Sequence, residues 1–100
     1  MSEEVTVTFE ITLKPEASEG FARMGGEGFQ ATKDFPGCRE VRIVQHQDDP
    51  CRFLFVERWD SEEAYRGYIA WRTERGEFQA LQMMATSVET NIWPRVVAAI

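Results

Sequence analysis

The sequence predicts an α+β fold in the order βαββαβ, a four-stranded antiparallel sheet with its helices on one face. Three observations predict it. VTVTFEITL, residues 5–13, alternates apolar Val5, Val7, Phe9, Ile11 and Leu13 with polar Thr6, Thr8, Glu10 and Thr12, the period of a strand with one buried face. CREVRIVQHQ and CRFLFVERW are two more strand-like runs, separated at DDP, residues 48–50, by a turn short enough for an antiparallel hairpin. Helical spacing of apolar residues occurs before that hairpin and again after it. A sheet of this kind, covered by helices on one side, is the ferredoxin-like arrangement.

In chain order, the first strand gives way at Pro15, which suits the first turn of a helix. Ala17, Phe21, Met24, Gly28, Phe29 and Thr32 then recur at three- and four-residue steps, so one helix is expected to run through the intervening glycines. Within it, GEGFQA, residues 26–31, matches the dinucleotide fingerprint G-x-G-x-x-A, with Asp48 and Asp49 about twenty residues on. That motif acts only where a strand turns sharply into a helix and presents backbone N–H groups to a pyrophosphate. Here the strand ends about a dozen residues too early, and the match is a coincidence. Each glycine in a helix interior still costs about 1 kcal/mol against Ala. Gly20, Gly25, Gly26 and Gly28 therefore imply either close packing of helix on sheet or room for a ligand above it.

FPG, residues 35–37, ends the helix before its proline. After the hairpin, DSEEAY offers Asp60 as N-cap with Glu63 three residues on, a capping-box variant opening a second helix. Tyr65, Tyr68, Ile69 and Arg72 share one face of it, bordered by Ala64 and Trp71. Gly76 breaks that helix, Phe78, Leu81 and Met84 or Ala85 mark a short third one, and SVETNIW supplies the last strand.

One hundred residues make one domain, 1–100, with no linker. A formal charge of −6 argues against nucleic-acid or anionic-membrane partners, which demand a basic face. No apolar run approaches a membrane span, and MSEEV lacks a signal peptide's basic start and apolar stretch, so the expected location is cytoplasmic. Cys38 and Cys51 fall at opposite ends of the hairpin, out of disulfide reach, and are expected to be reduced. Two cysteines without C-x-x-C and one histidine predict no metal site. His46, flanked by Gln45, Gln47 and Asp48, reads as a turn residue rather than a general base, and Glu57 and Glu62 carry no spacing that singles out an acid and base pair.

RFLFVERW is apolar on both faces, with Phe53, Leu54, Phe55 and Val56 in succession. The helices of one chain can cover only one of those faces. The other implies a homodimer packed sheet to sheet.

At FPGC, DDP, FVERWDSEEAY and IAWRTERGEF the sequence resembles the antibiotic biosynthesis monooxygenase family of dimeric α+β barrels, over nearly the whole chain. The fold hosts several chemistries: cofactor-independent oxygenation of quinols and anthrones, haem degradation, and isomerisation of a signalling sugar phosphate. The resemblance implies an aromatic substrate held between helices and sheet, beside a Trp ending the third strand and a Tyr in the following helix; here these are Trp59 and Tyr65. The amide that the quinol and anthrone branch carries four residues before that Trp is replaced by Phe55. The haem-degrading branch uses Asn, Trp and a His ligand where this chain has Phe9, Tyr68 and Gln82, which leaves haem without an obvious donor.

Taken together, these readings lead to an oxygenase for a small phenolic, quinol or polycyclic aromatic substrate, using O2 and no metal, haem or flavin. An electron-rich quinol, once deprotonated, can itself reduce oxygen, so the protein need only bind it, stabilise its anion and exclude water. Arg72 is expected to steady the oxyanion, Tyr65 and Tyr68 to donate hydrogen bonds, and Trp59, Trp71, Phe9, Phe29 and Phe55 to form apolar walls. Packing alone would also account for the aromatic residues, and Glu10 or Glu57 could instead be the anion that Arg72 meets. An isomerase or other non-oxidative enzyme on the same barrel, and a non-catalytic binding or assembly protein, are the alternatives.

Overall fold

The computed structural model describes residues 4–100. Its elements are β1 (Val5–Leu13), α1 (Pro15–Gly28), α2 (Gln30–Asp34), β2 (Cys38–Gln45), β3 (Arg52–Trp59), α3 (Glu62–Glu74), α4 (Glu77–Met83) and β4 (Ala85–Trp93). All strand pairs are antiparallel and the sheet order is β2-β3-β1-β4, so the ferredoxin-like α+β expectation holds. In β1 every odd residue from Val5 to Leu13 is buried and every even one is half-exposed. Register carries the same face across the sheet: Phe9 lies opposite Phe55 on β3 and Thr90 on β4, and Ile43 of β2 lies opposite Phe55.

The helix-facing side of the sheet holds the core. Ile11, Leu13, Phe53, Phe55 and Leu81 form one half, and Val5, Val7, Trp59, Tyr65 and Tyr68 the other. Full burial of one such large side chain contributes about 1.5–3 kcal/mol. The free cysteines stand apart as expected: Cys38 pairs with Trp59, while Cys51 precedes the other end of β3, roughly 26 Å away at about 3.3 Å per residue.

Three local expectations change. The first helix is not continuous: α1 ends at Gly28, and Phe29 (φ −111°, ψ 8°) separates it from α2. Weakened by its glycines, the helix yields there, and the Phe29 ring packs edge-on against Phe55 with centroids 4.7 Å apart. Nor is close packing the reason for the glycines, because a side chain at Gly20, Gly26 or Gly28 would meet open space. The N-cap of α3 is Ser61, whose hydroxyl accepts from the Ala64 N–H at 3.1 Å, and Asp60 instead pairs with Arg39. Gly37 does have a steric reason, since it sits at φ +94° and a Cβ there would lie 2.6 Å from that of Ala64. Among the described residues no helix is long and apolar enough to cross a membrane.

Candidate active site

Between the sheet and helices α3 and α4 lies a cavity of about 550 Å³. Phe9 and Phe55 supply its floor, Phe29 and Phe78 its walls, and α3 contributes Tyr65 and Tyr68. Edge-to-face contacts hold the phenyl rings in place: Phe9 and Phe55 stand 5.3 Å apart at 80°, and Phe9 and Phe78 6.4 Å apart at 61°. Along β4 the lining residues Val88 and Thr90 are exposed, so the cavity opens on that side.

Two polar arrangements border this space. The first centres on Arg72, which is only 7% exposed. Its Nε donates to the Tyr68 hydroxyl at 3.0 Å, one terminal nitrogen donates to Thr32 Oγ1 at 3.0 Å and to the Gly28 carbonyl at 3.4 Å, and the other pairs with Glu77. Thr32 and Tyr68 share a further bond of 2.7 Å. Trp71 lies 5.1 Å from the guanidinium carbon on one side, and Arg75 stacks on the same indole. The anion that Arg72 meets is therefore Glu77, neither Glu10 nor Glu57; Glu10 pairs with Arg52 across the opposite face of the sheet. Burial raises the Tyr68 hydroxyl above the ordinary tyrosine range, with Thr32 and Arg72 opposing it.

The second arrangement centres on Glu57. On β3 the residues Phe53, Phe55, Glu57 and Trp59 share the helix-facing side, which places a carboxylate in the core at 5% exposure. Trp59 Nε1 donates to its Oε1 at 2.8 Å. Burial pushes the carboxyl above its ordinary value, against the Trp59 bond and the more distant charge of Arg72. Oε2 has no hydrogen-bond partner among the described residues, and neither has the Tyr65 hydroxyl. Among the described residues no fully buried side-chain oxygen or nitrogen lacks a partner, so neither oxygen is fully buried, and both residues line the cavity. Burial, and then the charge of Glu57, raise the Tyr65 hydroxyl as well.

Of the residues the sequence singles out, Phe9, Phe29, Phe55, Tyr65 and Tyr68 meet at this cavity. Arg72, Trp59 and Trp71 do not line it. Trp59 is fully buried behind Glu57, Trp71 packs on the guanidinium, and Arg72 is committed to Tyr68, Thr32 and Glu77. Tyr68 presents its ring, while its hydroxyl belongs to the Arg72 network. Glu57 is the residue that sequence reasoning passed over. Its signal was parity, an acid in phase with Phe53, Phe55 and Trp59 on a strand whose other in-phase residues are all aromatic. His46 is exposed, and its Nδ1 accepts from the backbone N–H groups of Asp48 and Asp49 at 3.0 and 3.2 Å, as a turn residue does. Among the described residues no three of His, Cys, Asp and Glu gather into a group that could hold a metal ion. Phe9, Tyr68 and Gln82, the positions compared with the haem-degrading branch, all border the same cavity.

The family model for antibiotic biosynthesis monooxygenase matches residues 4–82. No curated protein matches the sequence. Among solved structures the chain is similar to a protein from Shewanella oneidensis, with 18% identity and a TM-score of 0.82 over 98% of this chain and 96% of that one. It is also similar to a conserved protein from Methanosarcina mazei, with 20% identity and a TM-score of 0.81 over 94% of each chain. A third neighbour is SnoaB, a cofactor-independent oxygenase from Streptomyces nogalater, with 16% identity and a TM-score of 0.82 over 99% of this chain and 98% of that one.

Proposed function

This chain belongs to the antibiotic biosynthesis monooxygenase family, and from that premise we propose that it oxidises a small phenolic, quinol or polycyclic aromatic substrate with O2 and no added cofactor. The observation that carries this reading is the phenyl-walled cavity of about 550 Å³, large enough for a flat ring system, with Glu57 and Tyr65 among the polar side chains that line it. The cofactor-independent oxygenase among the structural neighbours has the same fold and supports the choice of chemistry.

The reaction balances without a reductant. A phenol with a free ring position para to its hydroxyl becomes a quinone; the ring supplies all four electrons, one oxygen atom enters the product and the other leaves as water. The barrier lies in forming an electron-rich anion and letting it meet O2 away from bulk solvent. Phe9, Phe29, Phe55 and Phe78 would exclude water and stack on the rings, and the Tyr65 hydroxyl would donate to the substrate oxygen as charge develops there. With Arg72 bound into the Tyr68 and Glu77 network, its part is to hold Tyr68 against the cavity rather than to touch substrate. A cavity of this size speaks against a purely assembly role.

The same reading includes a homodimer. On the face of the sheet away from the helices, Leu54 and Val56 lie between the Arg52–Glu10 and Arg58–Glu40 ion pairs, with Val44 and Trp93 exposed beside them. A second copy packed on this face would bury that apolar strip. The functional reading is tested by adding metal-free protein to a panel of hydroxyarenes and anthrones and following dissolved oxygen. Uptake that requires the protein, and is unchanged by a chelator, is expected; no uptake with any member of the panel, or uptake only after iron, flavin or haem is added, would contradict it.

A further inference from the structure

We propose that Glu57 is the proton acceptor of this site, taking the proton of the bound aromatic's hydroxyl onto Oε2 while Tyr65 donates to the oxygen left behind. This rests on the oxygenase reading for its substrate class and adds to it the group that makes the reactive anion.

The geometry gives Glu57 one oxygen to hold and one to use. Oε1 is fixed by the Trp59 indole N–H at 2.8 Å, while Oε2 has no partner among the described residues and is not fully buried, on a residue that lines the cavity. A base must lie within hydrogen-bond reach of the proton that it removes, and an aromatic seated among Phe9, Phe55 and Tyr65 has Glu57 beside it on the same floor. In the step, the substrate O–H bond breaks, its electron pair stays on the ring oxygen, and Glu57 becomes a neutral carboxylic acid. The ring carbon para to that oxygen then bonds one atom of O2, and the distal oxygen takes the Glu57 proton to give a hydroperoxide. When the proton on that carbon is lost the second carbonyl forms, the O–O bond breaks, and the departing hydroxide takes that proton and leaves as water.

The surroundings suit that cycle. Arg72, Tyr65 and Tyr68 of α3 and Cys38 of β2 lie near enough to Glu57 to feel its charge; its direct strand neighbours Val7 and Val41 are apolar, and Arg66, which also lines the cavity, is paired with Glu62. The charge of Glu57 helps burial push the Cys38 thiol up to about 11, so that thiol does not compete for the proton near neutrality. Burial also makes the carboxylate a stronger base than an ordinary glutamate, and Trp59 limits the effect.

The test uses Glu57→Gln, which keeps the shape and the Trp59 bond but cannot accept a proton. Oxygen uptake with an active hydroxyarene should fall about 100-fold or more at neutral pH, the lower end of what a general base supplies. The acid limb of the kcat/KM profile should vanish with it. Trp59→Phe, which leaves the carboxylate in place, should shift that limb to higher pH because the bond favouring the charged form is gone. A second readout needs no turnover: 4-nitrophenol, titrated by absorbance, should bind wild type less tightly as pH rises past the point where probe and Glu57 are both ionised, and Glu57→Gln should retain its affinity. Undiminished turnover with an unchanged pH profile, or identical 4-nitrophenol profiles in the two proteins, overturns the proposal while leaving the oxygenase reading standing. Wild type that consumes no oxygen yet shows the 4-nitrophenol difference refutes the oxygenase reading and keeps the proton acceptor.

Discussion

Arg72 and Glu57 are both charged groups in a small core, and the protein treats them differently. Arg72 is satisfied: four groups accept from it, and indole and phenol rings flank the guanidinium. Removing it leaves the Tyr68 and Thr32 hydroxyls only each other, the Glu77 carboxylate only Arg75, and a cavity where the guanidinium packed. Arg72→Ala should therefore lose about 2–3 kcal/mol of stability in urea unfolding, in the range for breaking a buried hydrogen-bond network. A variant of full stability but no activity would show instead that Arg72 reaches the substrate. Glu57 is left half-satisfied, and that carries a stability cost with a definite sign. Its folded value lies above the ordinary 4.5, so the native state holds its proton more tightly than the unfolded chain. Stability from this group is full below the unfolded value and is lost as pH rises through the folded one. Glu57→Gln removes that loss, so the variant should gain on wild type progressively as pH rises above about 4.5. A stability difference that stays flat with pH would place Glu57 in a more solvated setting than the structure gives it.

Among the elements, α3 and the turns around it decide the shape of the cavity. Its period was legible in the sequence because Tyr65, Tyr68 and Arg72 fall on one helical face and all three are buried. Its cap was not, because Asp60 and Ser61 are both good N-caps, and the choice fell to Arg39, which draws Asp60 away across the sheet edge. Ser61→Ala should cost about 1 kcal/mol, and Asp60→Ala markedly less, in the same unfolding assay. The α1–α2 break at Phe29 was hidden for a related reason. Helical spacing of apolar residues survives a single non-helical residue, and only packing against Phe55 and Phe21 shows where the chain gives way. Gly37 ties this region to α3: the positive φ excludes most side chains and Ala64 excludes a Cβ. Gly37→Ala should destabilise the protein by about 2 kcal/mol or more, whereas Gly26→Ala, in open space on a helix, should stabilise it by up to about 1 kcal/mol.

At the scale of the whole molecule, the alternation of β1 and the hairpin turn were enough to read the fold, since a one-residue register slip would turn every core residue to solvent. The site was legible only in part. Aromatic residues announce a cavity wall and a core in the same way, so Phe9, Phe55 and Tyr65 could be named together with Trp59 and Trp71, which turn out to stand behind the lining. The sheet face away from the helices carries the dimer prediction. Leu54→Glu, set on that face between Glu10 and Val44, should convert a dimer to a monomer in sedimentation at micromolar concentration; wild type that is already monomeric there would remove the dimer from the account. The central claim is that the substrate supplies all four electrons that take O2 to one product oxygen atom and one water inside the phenyl-walled cavity. Its most direct measurement is turnover of a hydroxyarene by metal-free protein under isotopically heavy O2, with mass spectrometry of the product. The account predicts one heavy oxygen atom in the quinone and the other in water; an unlabelled product, or hydrogen peroxide formed in step with oxygen uptake, would contradict it.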